Sequence, residues 1–124
     1  MSDEDFYRDA VRHGPRMTSL LGAEFNFDWR LDWPDAEAVL AQDIDEAPLA
    51  DNQALQTELD YLVGMLGSEP LADGFVAYVD SGLVPLADTG RSTREWLIDV
   101  RDRVSRVVVL KAESEGYGQL GEAV

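Results

Sequence analysis

Cysteine is absent from the chain, and histidine and lysine occur once each. Without thiols there is no disulfide, no thiolate nucleophile and no thiolate metal site, a usage that suits a reducing compartment. The single histidine, His13, lies beside a Gly14-Pro15 break with no nucleophile pair near it, and reads as a surface or capping residue rather than a catalyst. Missing too are a glycine-rich phosphate loop, a Gly-x-Ser-x-Gly elbow and a His-Glu-x-x-His pair. The acid-rich runs lack the alternating ligands and turn glycine of a calcium loop, and acid-base work by paired carboxylates needs a pocket that no sequence displays. No apolar run approaches bilayer length, and Met1-Ser2-Asp3-Glu4-Asp5 has neither the basic nor the apolar region of a secretory signal. These absences lead us to expect a cytoplasmic protein with no membrane span, no catalytic residues, no cofactor and no metal, and they leave a small hydrolase as the weakest reading.

Positive charge is scarce as well. Ten Lys and Arg face 25 Asp and Glu, for a formal net charge of −15 and a pI near 4.1. That field repels nucleic acid and anionic membrane, favours basic partners and keeps the chain soluble and monomeric; salt adaptation or plain solubility are the bland alternatives. The arginines are scattered and several adjoin acids, so direct nucleic-acid binding is disfavoured. A length of 124 residues with 45% hydrophobic content and no shift in composition fits one domain with one core.

What is present is helical periodicity. Ser2 or Asp3 can cap a first helix carrying Phe6, Tyr7, Ala10 and Val11, and Gly14-Pro15 interrupts it before Met17, Leu20 and Leu21. The next stretch differs: Phe25, Phe27, Trp29, Leu31 and Trp33 alternate with polar residues, the pattern of an extended segment with one buried side. It is either a core plug or a platform that presents Asp28 and Asp32. Pro34 at a first helical position, with Asp35 and Glu37 in the first turn, starts a helix with Ala36, Val39, Leu40 and Ile44 inward. At its end Asp43, Asp45 and Glu46 stand where the helix dipole disfavours anions, a placement against local preference that hints at function. Beyond Pro48 a helix opens at Asp51 or Asn52, carries Leu55, Leu59, Leu62, Val63 and Leu66 on one face and stops at Gly67. Residues 70 to 87 suit either a helix from Leu71 to Val79 ended by Gly82 or a short hairpin near 75–86; the stripe Leu71, Phe75, Tyr78, Val79 favours the helix. Asp88-Thr89-Gly90 reads as a loop. Ser92-Thr93-Arg94-Glu95 has capping-box spacing and opens a last helix with Trp96, Leu97, Val100, Val104, Val107 and Val108 on one face and Asp99–Arg103 and Asp102–Arg106 at ion-pair spacing on the other. Val107 to Leu110 also suits a short strand. The expected fold is all-α, a small single-domain bundle of about five helices over residues 1–112, with 113–124, which contain three glycines, as a flexible tail.

Two blocks carry a family resemblance. Leu21-Gly22-Ala23-Glu24-Phe25-Asn26-Phe27-Asp28-Trp29-Arg30-Leu31 resembles the signature of one family of contact-dependent growth inhibition immunity proteins, and Arg94-Glu95-Trp96-Leu97 looks like the family's closing helix. Departures fall at Glu24, Phe27 and Arg91-Ser92-Thr93. The resemblance implies a cytoplasmic, non-enzymatic antidote, monomeric alone and 1:1 with its partner, that blocks the C-terminal toxin domain of a secreted exoprotein. Such domains are often nucleases with a basic cleft, which an acidic inhibitor can occupy. The expected contact residues are Asp28, Asp32, Asp35, Asp43, Asp45 and Glu46, with Phe25, Trp29 and Trp96 assigned to the core. The rival reading is an acidic nucleic-acid mimic or adaptor bound to a host DNA-binding protein.

Overall fold

Charge and apolar spacing agree over the first helix of the computed structural model, which describes residues 3–122. Helix α1 (Asp3–His13) begins with Asp3, Glu4 and Asp5 and ends with Arg12 and His13, matching both poles of the helix dipole; Ser2 as a cap lies outside the described residues. The break comes where Gly14-Pro15 demands it. Pro15 opens α2 (Pro15–Ser19), which has no local side-chain cap and runs on as a π-helical turn over Leu20–Glu24. The missing cap arrives from far along the chain: the buried Glu58 accepts the N–H groups of Arg16 at 2.8 Å and Met17 at 3.0 Å.

The aromatic stretch is not extended. Phe25 and Trp29 are buried, but Phe27 and Leu31 are 71% and 84% exposed, so the expected one-sided alternation fails. The reason is local chemistry. Asn26 folds back to donate to Ala23 O at 2.9 Å and accepts the Asp28 N–H at 2.8 Å, making a turn that feeds a single helical turn, α3 (Trp29–Asp32). Phe25 stands edge-on to Trp29 at 5.2 Å and to Trp96 at 6.0 Å, so the two blocks that carry the family resemblance meet in the core.

Asp35, not Pro34, sets the next start: it caps α4 (Ala36–Leu40) by accepting the Ala38 N–H at 2.9 Å, and a second π-helical turn follows over Ala41–Asp45. Ala36, Val39, Leu40 and Ile44 are buried as expected. Helix α5 (Leu49–Met65) starts straight after Pro48, earlier than Asp51, which places Asn52 inside the first turns, buried, where it donates to Ile44 O at 2.9 Å. Residues 69–78 form α6 (Glu69–Tyr78), capped by Ser68, and the hairpin is not formed. Asp80 (φ +55°), rather than Gly82, takes the left-handed conformation after it. Asp88 and Thr89, expected as a loop, instead end a short helix, α7 (Pro85–Thr89), closed by Gly90 at φ +76°.

The capping box is realised: the Ser92 N–H donates to Glu95 Oε1 at 3.2 Å and the Glu95 N–H to Ser92 Oγ at 3.3 Å. From it α8 (Thr93–Glu122) packs along α5, with Trp96, Leu97, Val100 and Val104 buried. The Val107–Leu110 run stays helical, and the helix continues to Glu122 through the segment expected as a tail; residues 123 and 124 lie outside the described residues. The all-α expectation holds, with eight α-helices and no strand among the described residues in place of about five helices.

Candidate functional site

The six expected contact acids fall in three places. Asp28 precedes α3 and Asp32 ends it, both with exposed carboxylates that have no ion pair or side-chain hydrogen bond among the described residues. Asp35, Asp45 and Glu46 belong to α4 and its π-helical end. Asp43, half-buried, points to the opposite side of that turn, into a small cavity of about 190 Å³ lined also by Arg16, Ser19, Leu20 and Glu24. Burial first and the Glu24 carboxylate second push the Asp43 pKa above the usual carboxylate range.

Between α4 and α8 runs a cleft of about 390 Å³, with Leu40, Trp96 and Val100 at its base and Asp35, Glu37, Asp88, Arg91, Asp99, Arg103 and Arg106 around it. Arg103 joins its walls. Its Nε and one terminal nitrogen donate to the two Asp45 oxygens at 3.1 and 2.6 Å, and the other terminal nitrogen donates to Glu37 Oε2 at 2.8 Å. The side chain is 18% exposed, and the hydrogen bonds to Asp45 and then Glu37 raise its pKa against the opposing effect of burial. Asp45 therefore serves the fold. Next to it, Lys111 donates to Asn52 Oδ1 at 2.8 Å and to Ala47 O, closing the end of the same turn. Of the three anions read as misplaced at a helix C-terminus, Asp45 thus has its cation on α8, 58 residues away, where spacing within one helix gives no signal.

The helical pairs expected within α8 do not form. Asp99 accepts from Arg91 Nε at 2.9 Å, Asp102 lies 3.3 Å from Arg101, and Arg103 turns to Asp45 and Glu37. Residues that sequence reasoning missed are hub residues of this kind: Glu58; Glu69, which accepts the Ser92 hydroxyl at 2.7 Å and the Arg94 N–H at 3.2 Å; and Asp88, which accepts from Arg30 at 2.6 Å and from the Val84 N–H at 2.7 Å. Only one cue was legible, namely acids and arginines without partners at helical spacing.

Among the described residues the cleft is lined by carboxylates, guanidiniums and the Thr89 hydroxyl, which donates to Pro85 O at 2.6 Å rather than to a base; His13 stacks on Tyr61 at 4.1 Å at another site. Among the described residues no three His, Asp or Glu side chains group as metal ligands, and no helix is long and apolar enough to cross a membrane. The surface offers charge and exposed apolar side chains, which suits recognition of another macromolecule. No match is found among curated proteins or among solved structures. A family model described as CdiI immunity protein matches residues 13–104, a span that includes the Phe25–Trp29–Trp96 contact, the capping box and the Arg103 hub. On that match, the chain belongs to the CdiI immunity protein family.

Proposed function

We propose that this immunity protein acts in the cytoplasm by binding the C-terminal toxin domain of a contact-dependent growth inhibition exoprotein, as a 1:1 complex, and that the toxin is a nuclease with a basic substrate cleft. The family match over residues 13–104 carries the immunity role, and the net charge of −15 extends it to the chemistry of the partner. A nuclease must concentrate positive charge where it holds phosphate, so an acidic inhibitor is steered to that region and competes with substrate there. The contact set is Asp28, Asp32, Asp35, Asp43, Asp45 and Glu46, now of unequal standing. Asp28, Asp32 and Glu46 are exposed and make no ion pair among the described residues, Asp35 keeps one oxygen on its cap, and Asp45 is already committed to Arg103. Asp43 beside Glu24 is a like-charge pair that a partner's lysine or arginine would relieve.

Association kinetics test this reading. The on-rate for the toxin domain encoded beside this chain is expected to fall steeply as salt rises from about 50 to about 500 mM, as the screening length shortens. Asp28→Asn with Asp32→Asn and Glu46→Gln should slow association and flatten that dependence while leaving the melting temperature in place. An on-rate indifferent to salt and to the triple substitution would remove electrostatic steering.

A further inference from the structure

Four large apolar side chains stand out of the surface around α3 and the start of α7: Phe27 (71% exposed), Leu31 (84%), Val84 (54%) and Leu86 (68%). Their two segments are bound edge to edge. The Gly82 N–H donates to Phe25 O at 2.7 Å, Trp29 Nε1 donates to Gly82 O at 3.2 Å, and Arg30 pairs at 2.6 Å with the Asp88 oxygen that also accepts the Val84 N–H. Beneath them Phe25, Trp29 and Leu83 are buried, so the exposed four ride on a fixed base rather than on a loose loop. Apolar side chains gathered this way on a water-facing surface mark an interaction site more often than scattered exposure does.

We propose that Phe27, Leu31, Val84 and Leu86 form the apolar centre of the surface that meets the toxin, seated against an apolar patch whose rim carries lysine or arginine. This rests on the immunity reading above and adds to it the anchors that steering charge alone does not supply. Charge selects the occupant. Asp28 and Asp32 alternate with the apolar residues and have no side-chain partner among the described residues, whereas the charge of Arg30 is already answered by Asp88, so the rim is negative. A second copy of this chain would bring the same carboxylates and another −15 against them, which opposes self-association. An apolar centre with a charged rim is the usual anatomy of a specific interface.

The test measures binding of the purified toxin domain encoded beside this chain to the wild type and to Phe27→Ser, Leu31→Ser and Leu86→Ser. Leu110→Ser, at an exposed apolar position on α8, is the control. Each patch substitution is expected to weaken binding about tenfold or more, chiefly through a faster off-rate, with the thermal melt unchanged and the control equal to wild type. Because all three positions are more than half exposed on different elements, loss at Leu86 as well as at Leu31 excludes local unfolding of α3 as the cause. A wild type that leaves the toxin domain unbound overturns both readings; a wild type that binds alongside patch variants of equal affinity overturns this one alone. A wild-type dimer in sedimentation that Leu31→Ser dissolves would also overturn it, since the face would then belong to a second copy.

Discussion

Removing the Arg103 guanidinium should cost this domain a sizeable part of its stability, and the cost can be built up from its contacts. The two bonds to Asp45, at 3.1 and 2.6 Å, form a fork on a carboxylate that is 40% exposed, and the arginine itself is only 18% exposed. Charge-assisted bonds in that partly buried setting contribute about 2 kcal/mol together. The Glu37 carboxylate is 67% exposed, so its pair adds only about 0.5 kcal/mol. Arg103→Ala also strips the aliphatic stem from the cleft wall, which brings the expected loss to about 3 kcal/mol, or a fall in melting temperature of about 10 °C for a domain of this size. Arg103→Lys keeps a charge but not the fork and should recover less than half of that. Urea unfolding of Arg103→Ala, Asp45→Asn and the double variant gives the coupling energy directly, expected at about 1 to 2 kcal/mol. A single-variant cost under about 0.5 kcal/mol, or zero coupling, would refute the assignment of Asp45 to the fold. The result also bears on interface mapping, because an Asp43, Asp45 and Glu46 triple substitution would then weaken binding by loosening the fold as well as by removing charge.

Two further outcomes follow from the same reasoning. Asp43 has a raised pKa in the fold, so its favourable contribution is present below its ordinary value of 3.8 and is lost as pH rises through the folded value. Asp43→Asn should therefore melt higher than wild type at pH 7, with the advantage vanishing near pH 3, and a gap that is constant across this range would show that the carboxylate's environment has been misread. At Gly82, a Cβ would sit 2.7 Å from both Asn26 C and Phe27 Cα and closer still to the Asn26 carbonyl oxygen, all of it backbone. Gly82→Ala should cost about 1 to 3 kcal/mol in chemical denaturation and separate the 25–27 turn from the α7 segment; near-neutral stability would mean the two strands of chain give way easily.

Much of the fold was legible because helices announce themselves locally. The break at Gly14-Pro15, the inward faces of α4, α5 and α8 and the Ser92/Glu95 box all rest on residues within one or two turns of each other. The aromatic stretch misled for an equally physical reason. Alternation predicts an extended segment only if the backbone stays extended, and the Asn26 side chain, by bonding Ala23 O and the Asp28 N–H, bends it instead. Phe27 and Leu31 were thereby turned outward, from expected core into exposed surface.

By itself the sequence determined the class: composition excluded thiol chemistry, and periodicity specified an all-α chain. It also held both halves of the family signature. Only the tertiary structure decided what the charges do, because Asp45 with Arg103, Glu58 with the α2 start, and Arg30 with Asp88 are pairings across forty or more residues. Which carboxylates are consumed inside the fold, and which remain to meet a partner, depends on the packing that brings those residues together.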